Sequence, residues 1–431
     1  MRSTSGILTL VVLLFLSSVH GARAQGDSEE ALSLDECIRV AVENNPALKA
    51  GGQEVKKMNY RVTESRAGFY PALSMQSNYR QYTVAGNDRE FEDFGAGFTI
   101  RQNIFQGGKL IAQSKGAKAG LNAAENQYES LQQDIIYRVQ ESYYRYLQKL
   151  RLVQVAEKAV ERAKIRVDEA NARHIAGIAT RSDILKSEVD LSDAELKLIQ
   201  ADNAALTAGG VLNNVLGYPV QNKIQIVDDL SNTIEDEIRT PDELIGNAFK
   251  NRPEILGMTN QLEVQKYNIR IFKSEYLPSI AATASYDWSG ESASDMEDYW
   301  FAGVSLELPL FNGFSTKARV SEGKAEQTAL EYDLENLRQT VGLEVWNAYL
   351  RVRESRQAID NTVKFLERAK ENLNISEGEY REGIGSMLEV IDAQTVLISA
   401  EESHINSLAD HQIALANLDL VIGISRFKET Q

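Results

Sequence analysis

The sequence contains one unit twice. Residues 33–48 read SLDECIRVAVENNPAL, and residues 240–255 repeat them as TPDELIGNAFKNRPEI, an offset of 207 positions. The second copy lacks one residue between Tyr286 and Phe311, so the offset from there onward is 206. The equivalent pairs include Arg66 and Lys273, Pro71 and Pro278, Tyr79 and Tyr286, Phe105 and Phe311, Tyr143 and Tyr349, Gly177 and Gly383, and Gly217 and Gly423. This self-similarity indicates two tandem copies of one supersecondary unit, residues 25–230 and residues 231–431.

The N-terminus is typical of an export signal. An apolar run from Ile7 to Leu16 is followed by the small-residue sequence Ala22-Arg23-Ala24. The pattern predicts a signal peptide over residues 1–24, and a buried N-terminal helix is the alternative. No cysteine stands at the predicted cleavage site, so we expect no lipid anchor there.

Charge and composition exclude several classes of protein. Removing residues 1–24 takes away Arg2 and Arg23, so the formal net charge of -16 becomes -18. This acidity argues against a nucleic-acid partner. The sequence has no run of 18 apolar residues, so we expect no membrane-spanning helix in the exported protein. The one cysteine, Cys37, is predicted to be a small buried hydrophobic residue.

The spacing of prolines leaves room for very long helices. Residues 72–218 and 310–431 contain no proline. From Lys109 to about Ala176, and again from Thr316 to about Glu382, apolar residues recur at intervals of three and four. Each such helix would be on the order of 100 Å long. A helix of that length cannot be the core of a compact domain, so it must pack beside others.

Each long helix ends in a short break and a return helix. Gly177 and Gly383 are predicted to end the long helices. Thr180 with Asp183, and Ser386 with Glu389, have the spacing of a capping box that begins the next helix. The return helices are predicted to end near residues 216 and 422, and residues 217–240 to form a linker. One shorter helix is predicted to open each copy, over residues 35–66 and 242–273.

Between the opening helix and the long helix, the hydrophobic period changes to two. Leu73, Met75 and Tyr79 alternate with polar residues after Pro71. Three further runs alternate in the same way, at about residues 94–101, 280–288 and 300–308. Each predicted strand has about ten residues, the length that crosses a bilayer at a tilt. An ordinary hairpin on a soluble domain is the alternative.

Four strands are too few to close a membrane barrel, since small barrels have about eight. Open strand edges in lipid would leave backbone groups unpaired, at a cost of several kcal/mol each. If the hairpins enter a membrane, several chains must therefore share one barrel. An oligomer with strands at one end and long helices at the other is a tube, whose polar strand faces line the bore and whose apolar faces meet lipid.

The motifs resemble those of the TolC-like outer-membrane efflux and secretion channels. The resemblance covers essentially the whole mature chain. It is carried by LDECIRVAVENNPAL and PDELIGNAFKNRPEI, by NIFQGGK and PLFNGFSTK at the strand-to-helix joins, and by YREGIGSMLEVIDAQ at the second helical break. It implies a mainly α-helical fold with a membrane β-barrel portion, in which a homotrimer forms an α-helical tunnel and a shared twelve-stranded barrel. No cofactor is predicted.

The resemblance also implies a location and partners. The channel would lie in the outer membrane of a Gram-negative bacterium, in contact with its lipid, with most of the chain in the periplasm. It would act as a passive exit duct in a tripartite efflux pump or a type I secretion system. Its partners would be a periplasmic adaptor (membrane fusion) protein and an inner-membrane transporter.

The family closes its tunnel at the periplasmic end with rings of acidic residues. The matching residues are Glu389 and Asp392, three apart on one helix. Three chains would bring six carboxylates towards one axis and favour cations. Glu389 also fits the capping box, which is a purely structural alternative.

The family also links neighbouring helices at this end. Tyr380 and Asp183 match two of the linking positions, and simple helix packing is the alternative for Tyr380. Gly385 stands where the family has an arginine, and Arg381 or Arg181 are candidates to replace it. The tips that the family uses for adaptor contact match Gly177, Thr180, Gly383 and Ser386, although turn chemistry explains these residues equally well.

Signatures of enzymes are missing from the sequence. We find no P-loop, cysteine cluster, HExxH or nucleophile elbow. His404 and His411, seven apart, are predicted to be helix-surface residues rather than a metal site. The sequence therefore predicts an outer-membrane duct that is not an enzyme. A periplasmic coiled-coil adaptor or scaffold without a membrane barrel is the alternative.

Overall fold

A computed structural model of the chain describes residues 31–83, 90–230 and 240–424. The predicted signal peptide lies outside these ranges. The first copy contains α1 (Leu34–Asn44), α2 (Pro46–Ser65), β1 (Ala72–Thr83), β2 (Glu90–Gln106), α3 (Lys109–Ile175) and α4 (Arg181–Leu216). The second contains α5 (Pro241–Asn251), α6 (Pro253–Ser274), β3 (Ser279–Gly290), β4 (Glu297–Glu307), α7 (Ser315–Arg381) and α8 (Met387–Val421). The duplicated order predicted from the sequence is confirmed.

The prediction of a single opening helix in each copy is wrong, because each is two helices that meet at a proline. Asn45 has φ -61° and ψ 123°, and Arg252 has φ -66° and ψ 122°. A proline ring clashes with a helical conformation of the residue before it, so the backbone turns outward at that residue. The side chain of Asn45 then caps α2, since its Oδ1 accepts a hydrogen bond from the Ala47 backbone N–H at 2.8 Å.

The two long helices are confirmed. α3 and α7 have 67 residues each, and their ends lie within one residue of the predicted ends. At 1.5 Å per residue each is about 100 Å long. Val139 and Tyr143 of α3, four residues apart, and Val345 of α7 are fully buried, as the predicted spacing of apolar residues requires.

The strands form one antiparallel sheet in the order β1-β2-β3-β4. Ala72 of β1 faces Arg101 of β2, and Ser279 of β3 faces Glu307 of β4. The two hairpins therefore have equivalent registers under the offsets of 207 and 206. The strands have 12, 17, 12 and 11 residues, longer than predicted. Strand β2 is the longest because its last residues pair with the start of β3.

The sheet has one apolar face and one polar face, as the alternation predicts. One row across the four strands consists of Met75, Phe98, Tyr286 and Trp300. A row on the other face consists of Asn78, Gly95, Ser289 and Glu297. Every residue of β1 is exposed, because this strand has a neighbour on one side only.

The helices pack side by side in one row. Beside the sheet the order is α2, α3, α6 and α7; farther away it is α4, α3, α8 and α7. Residues 217–230, predicted as a linker, lie against α3. The Tyr143 and Tyr146 hydroxyls donate to the Val227 and Ile224 carbonyls, at 2.7 and 3.2 Å. Within the described ranges, none of the helices combines the length and the apolar composition needed to cross a membrane.

Candidate functional site at the helical tips

The tips of the two helical hairpins, at the end opposite the sheet, contain most of the predicted site residues. Gly177 and Gly383 both have a φ of 78°, a left-handed conformation that favours glycine. The Ile178 N–H donates to the Arg173 carbonyl and the Ile384 N–H to the Glu379 carbonyl, each at 3.0 Å. These bonds close a Schellman motif at the end of each long helix, as the sequence predicts.

Both predicted capping boxes are present. The Thr180 backbone N–H donates to Asp183 Oδ2 at 2.9 Å, and the Asp183 N–H donates to Thr180 Oγ1 at 3.3 Å. In the second copy, the Ser386 N–H donates to Glu389 Oε2 at 2.7 Å, and the Glu389 N–H donates to Ser386 Oγ at 3.3 Å. Hydrogen bonds from Thr180, the backbone bond foremost, lower the pKa of Asp183.

The two acidic residues predicted for the ring lie on one side of α8. Glu389 and Asp392 are both exposed, whereas Val390 and Ala393 are buried against the neighbouring helices. One carboxylate oxygen of Glu389 accepts a hydrogen bond in the cap of its own helix. Asp392 takes no part in that cap, so its charge is available to whatever lies in front of this face.

Arg173 connects the two copies at the tips, and sequence reasoning missed it. Its guanidinium lies 4.4 Å from the centroid of the Tyr380 ring. It also donates to the carbonyls of Tyr380 at 3.0 Å and Arg381 at 3.1 Å, and its Nε bonds to Glu169 at 3.2 Å. An arginine on the last carbonyls of a helix satisfies acceptors that have no partner within that helix. Its position in the last turn of α3 was the one signal, but nothing showed that it reaches the other copy.

Tyr380 is held by its ring rather than by its hydroxyl. The residue is 9% exposed, and within the described ranges its buried hydroxyl has no hydrogen-bond partner. Burial raises the pKa of Tyr380, Arg173 lowers it, and the nearby negative charge of Asp183 raises it again. The structure thus brings Tyr380 near Asp183, while the Asp183 carboxylate bonds to its own helix cap.

Gly385 has little room for a side chain. A Cβ built on it would lie 3.0 Å from Glu379 Cβ and 3.2 Å from the backbone nitrogen of Tyr380. Of the two arginines considered as replacements, Arg381 bonds to the Glu377 carbonyl of its own helix at 3.2 Å, and Arg181 is exposed at the start of α4.

The prediction that both histidines lie on the helix surface is wrong for His411. This residue is 3% exposed, and its Nδ1 lies 3.0 Å from the Ser355 hydroxyl between α7 and α8. His404, half-buried one heptad earlier, contacts the Thr362 hydroxyl at 3.3 Å. The seven-residue spacing places both on the α7 side of α8. No group of three or more potential metal ligands occurs in the part of the chain that the structure describes.

Comparison with known proteins identifies the family. The model of the outer membrane efflux protein family matches residues 37–218 and 244–424, most of the chain. The chain therefore belongs to the outer membrane efflux protein family. The match supports an outer-membrane channel for export, in a Gram-negative bacterium, and not the scaffold alternative. The family is one of channels rather than of enzymes.

Individual relatives agree with this assignment. Protein CyaE of Bordetella pertussis is 25% identical over 386 residues, which cover 88% of this chain and 81% of the relative. Outer membrane protein TolC of Vibrio cholerae is 22% identical over 420 residues, or 95% and 94% of the two chains.

Solved structures have the same fold. The open state of the Neisseria gonorrhoeae MtrE outer membrane channel matches with a TM-score of 0.80 at 19% identity, over 92% of this chain and 90% of that one. A CusC structure matches with a TM-score of 0.81 at 18% identity, over 91% and 92% of the two chains.

Proposed function

We propose that three copies of the chain form one continuous export tube, with a twelve-stranded barrel in the outer membrane and a helical tunnel in the periplasm. The observation that carries this proposal is the pair of open edges of the sheet. β1 and β4 each have a strand neighbour on one side only, and nearly all their residues are exposed. In lipid such edges need partners, which other copies of the chain supply.

The edges of the helical row support the same assembly. α4 exposes a stripe of large apolar residues at heptad spacing, at one end of the row. These are Leu185, Val189, Leu196, Ile199 and Leu206. At the other end, α7 exposes Leu343, Trp346 and Leu350. An exposed apolar stripe of this kind on a long helix indicates a coiled-coil partner.

At the helical tips, we propose a gate. Glu389 and Asp392 of three chains would form an acidic ring that favours cations. Tyr380 would link the neighbouring hairpins through its ring, which lies against Arg173, and Asp183 would take part in the link through its nearby negative charge. The loops at Gly177 to Thr180 and Gly383 to Ser386 would contact a periplasmic adaptor, through which an inner-membrane transporter delivers its substrates.

The names of relatives support a role as an exit duct. One is an outer membrane efflux protein, BepC of Brucella suis, and another an alkaline protease secretion protein, AprF of Pseudomonas aeruginosa. An efflux pump and a type I secretion system both need a passive channel of this kind.

Purification from bacterial outer membranes tests the proposal. We expect a detergent-solubilised particle of three chains by light scattering, and cation-selective channels of low conductance in planar lipid bilayers. A monomer recovered from the soluble periplasmic fraction, without channel activity, would contradict the proposal and favour a scaffold.

A further inference from the structure

An open cavity lies between the two copies, next to the helical tips. Its volume is about 430 Å³, within the range of about 300–1,000 Å³ that is usual for small-molecule sites. One wall is a face of α3 from the first copy, and the other consists of the end of α7 and the start of α8 from the second. Any molecule that fills the cavity therefore contacts both copies.

Three buried donor atoms on side chains that line the cavity have no hydrogen-bond partner within the described ranges. They are Arg162 Nη1, Arg166 Nε and the Tyr380 hydroxyl. Arg166 is 7% exposed and Tyr380 is 9% exposed. Burial raises the pKa of Tyr380, so its hydroxyl keeps its proton and can donate. A buried donor without an acceptor is costly, so this cavity favours an occupant that supplies acceptors.

The two arginines of α3 are each held by a carboxylate on one side only. Arg166 donates through Nη2 to Asp190 of α4, which leaves its Nε free. Arg162 has a loose contact with Glu401 of α8, at 3.9 Å through Nη2, which leaves its Nη1 free. The two residues are four apart and so lie on one face of α3. Two neighbouring guanidinium groups with free N–H groups suit a carboxylate.

The carboxylates that line the cavity are already paired with arginines. Glu169 accepts a hydrogen bond from Arg173 Nε at 3.2 Å, and Glu377 lies 3.9 Å from Arg381 Nη2. Their negative charges are therefore offset by arginines of their own helices.

The remainder of the lining is apolar. Met387 and Val390 of α8 are 2% and 3% exposed and form the buried part, and Ile165 of α3 is exposed. An apolar surface beside free charged donors suits a ligand that has an apolar body and a charged head.

We propose that this cavity binds a small organic anion with one carboxylate and an apolar body. The carboxylate accepts hydrogen bonds from Arg162, Arg166 and the Tyr380 hydroxyl, and the apolar body lies on Met387 and Val390. Water is the competing occupant, and it gains nothing from the apolar wall. Binding joins α3 to α7 and α8 and so holds the tips closed; this consequence, unlike the binding itself, rests on the gate proposed above.

Calorimetric titration of the detergent-solubilised full chain with cinnamate tests the binding. Cinnamate carries a carboxylate on an apolar body, and cinnamamide is its uncharged analogue. We expect saturable binding of cinnamate with a Kd on the order of 0.1–1 mM, and binding of cinnamamide at least about tenfold weaker. A titration without protein corrects for partition into detergent. Equal binding of the two compounds, or no saturable binding of cinnamate, would overturn the anion site.

Substitutions in the lining locate the bound anion. Arg162→Gln should weaken cinnamate binding about tenfold, with Arg162→Lys in between, and Tyr380→Phe should weaken it about twofold to tenfold. Tyr380→Phe keeps the ring that packs on Arg173. Lys164→Gln is the matched control, because it removes the same charge from an exposed position of α3 outside the cavity, and it should bind as the parent does. Parent-like binding by both Arg162→Gln and Tyr380→Phe would overturn the assignment to this cavity.

Conductance separates this site from the proposed function. In planar lipid bilayers, cinnamate should lower the leak conductance of the parent and have less effect on Arg162→Gln. Binding without a change of conductance would overturn the link to the gate. A parent that binds cinnamate but forms no channels would contradict the export tube alone, whereas a channel that binds no cinnamate would contradict this site alone.

Discussion

Two neighbouring carboxylates at the tip of α8, those of Glu389 and Asp392, have different surroundings. Glu389 accepts the Ser386 N–H and so stabilises the start of its own helix, whereas Asp392 is exposed and outside that cap. Substitutions that keep the cap and remove the charge are available, because glutamine can replace glutamate in a capping box.

Removing the two charges should open the proposed gate while the helix keeps its cap. We expect Glu389→Gln with Asp392→Asn to raise the leak conductance and to bring the ratio of cation to anion permeability towards about 1. Replacing both residues by alanine should have the same effect and should also weaken the start of α8, because Glu389→Ala removes the acceptor of the Ser386 N–H. Planar bilayer recordings measure the leak conductance and the ratio of cation to anion permeability.

The control is Glu402→Gln, which removes one negative charge ten residues beyond Asp392 along α8, on a different face. It should leave selectivity unchanged. If the double variant conducts like the parent, these carboxylates do not form the gate.

Arg173 links the two copies at the tips. It combines two hydrogen bonds to carbonyls of α7 with the stack on Tyr380. Hydrogen bonds that involve a charged group contribute about 1.5–3 kcal/mol each where they are buried, and less at partly exposed sites.

Loss of Arg173 should release the end of α7. We expect Arg173→Ala to increase amide hydrogen exchange over residues 380–383 and to raise leak conductance, with Arg173→Lys in between, because lysine lacks the planar fork. Tyr380→Phe should match the parent, since the hydroxyl has no partner within the described ranges. A leak in Tyr380→Phe as large as in Arg173→Ala would show that the hydroxyl, not the ring, makes the link.

At the scale of elements, the α7–α8 pair contains a polar seam in an otherwise apolar interface. His411 and His404 contact the hydroxyls of Ser355 and Thr362, and Thr362 also bonds to Ser407. Burial, followed by the positive charge of Arg356, lowers the pKa of His411. Burial also lowers the pKa of His404.

These histidines should make the helix pair sensitive to acid. As the pH falls, the two histidines take up protons at about pH 6.5 in the unfolded chain but only at a lower pH in the folded chain. Their contribution to the free energy of unfolding is therefore complete above about pH 6.5 and is lost as the pH falls towards the lower pKa of the folded chain. We expect Tm to fall between about pH 7.5 and about pH 5.5, and His411→Gln to reduce that fall. Thermal unfolding by circular dichroism measures it.

His174→Gln is the matched control, because His174 is exposed at the tip of α3. It should keep the full pH dependence. An undiminished fall of Tm in His411→Gln would place the acid sensitivity elsewhere.

The long helices and strands were predictable because their signals are local. A helix without proline and with one apolar stripe has few alternatives, and strand alternation repeats four times. The break at Asn45 and Arg252 was missed although Pro46 and Pro253 stand in the sequence, because a helix resumes at each proline and only the residue before it leaves the helical conformation. The buried position of His411 was missed because it depends on which face of α8 meets α7.

At the scale of the whole molecule, a single chain has open strand edges and exposed apolar surfaces. The sheet has an apolar face, a polar face and two open edges, and the helical row has exposed apolar stripes at its ends. The apolar face fits lipid and the polar face fits a water-filled bore.

An added positive charge should therefore affect membrane insertion differently on the apolar and the polar face of the sheet. Ile100→Arg places an arginine on the apolar face of β2, where the cost near the middle of the bilayer is about 2–4 kcal/mol per chain. We expect little membrane-inserted trimer on membrane fractionation. Thr99→Arg, on the polar face next to it, should insert normally and lower the conductance. Equal insertion of the two variants would contradict a lipid-facing apolar row.

The sequence by itself determined the duplication, the order of elements, the helix caps and the two faces of the strands, because repeats, caps and hydrophobic periods are written in neighbouring residues. Only the tertiary structure decided that β2 pairs with β3, that Arg173 stacks on Tyr380, and that His411 is buried. Those contacts join residues far apart in the chain. They depend on how helices of about 100 Å align, which no short stretch of sequence specifies.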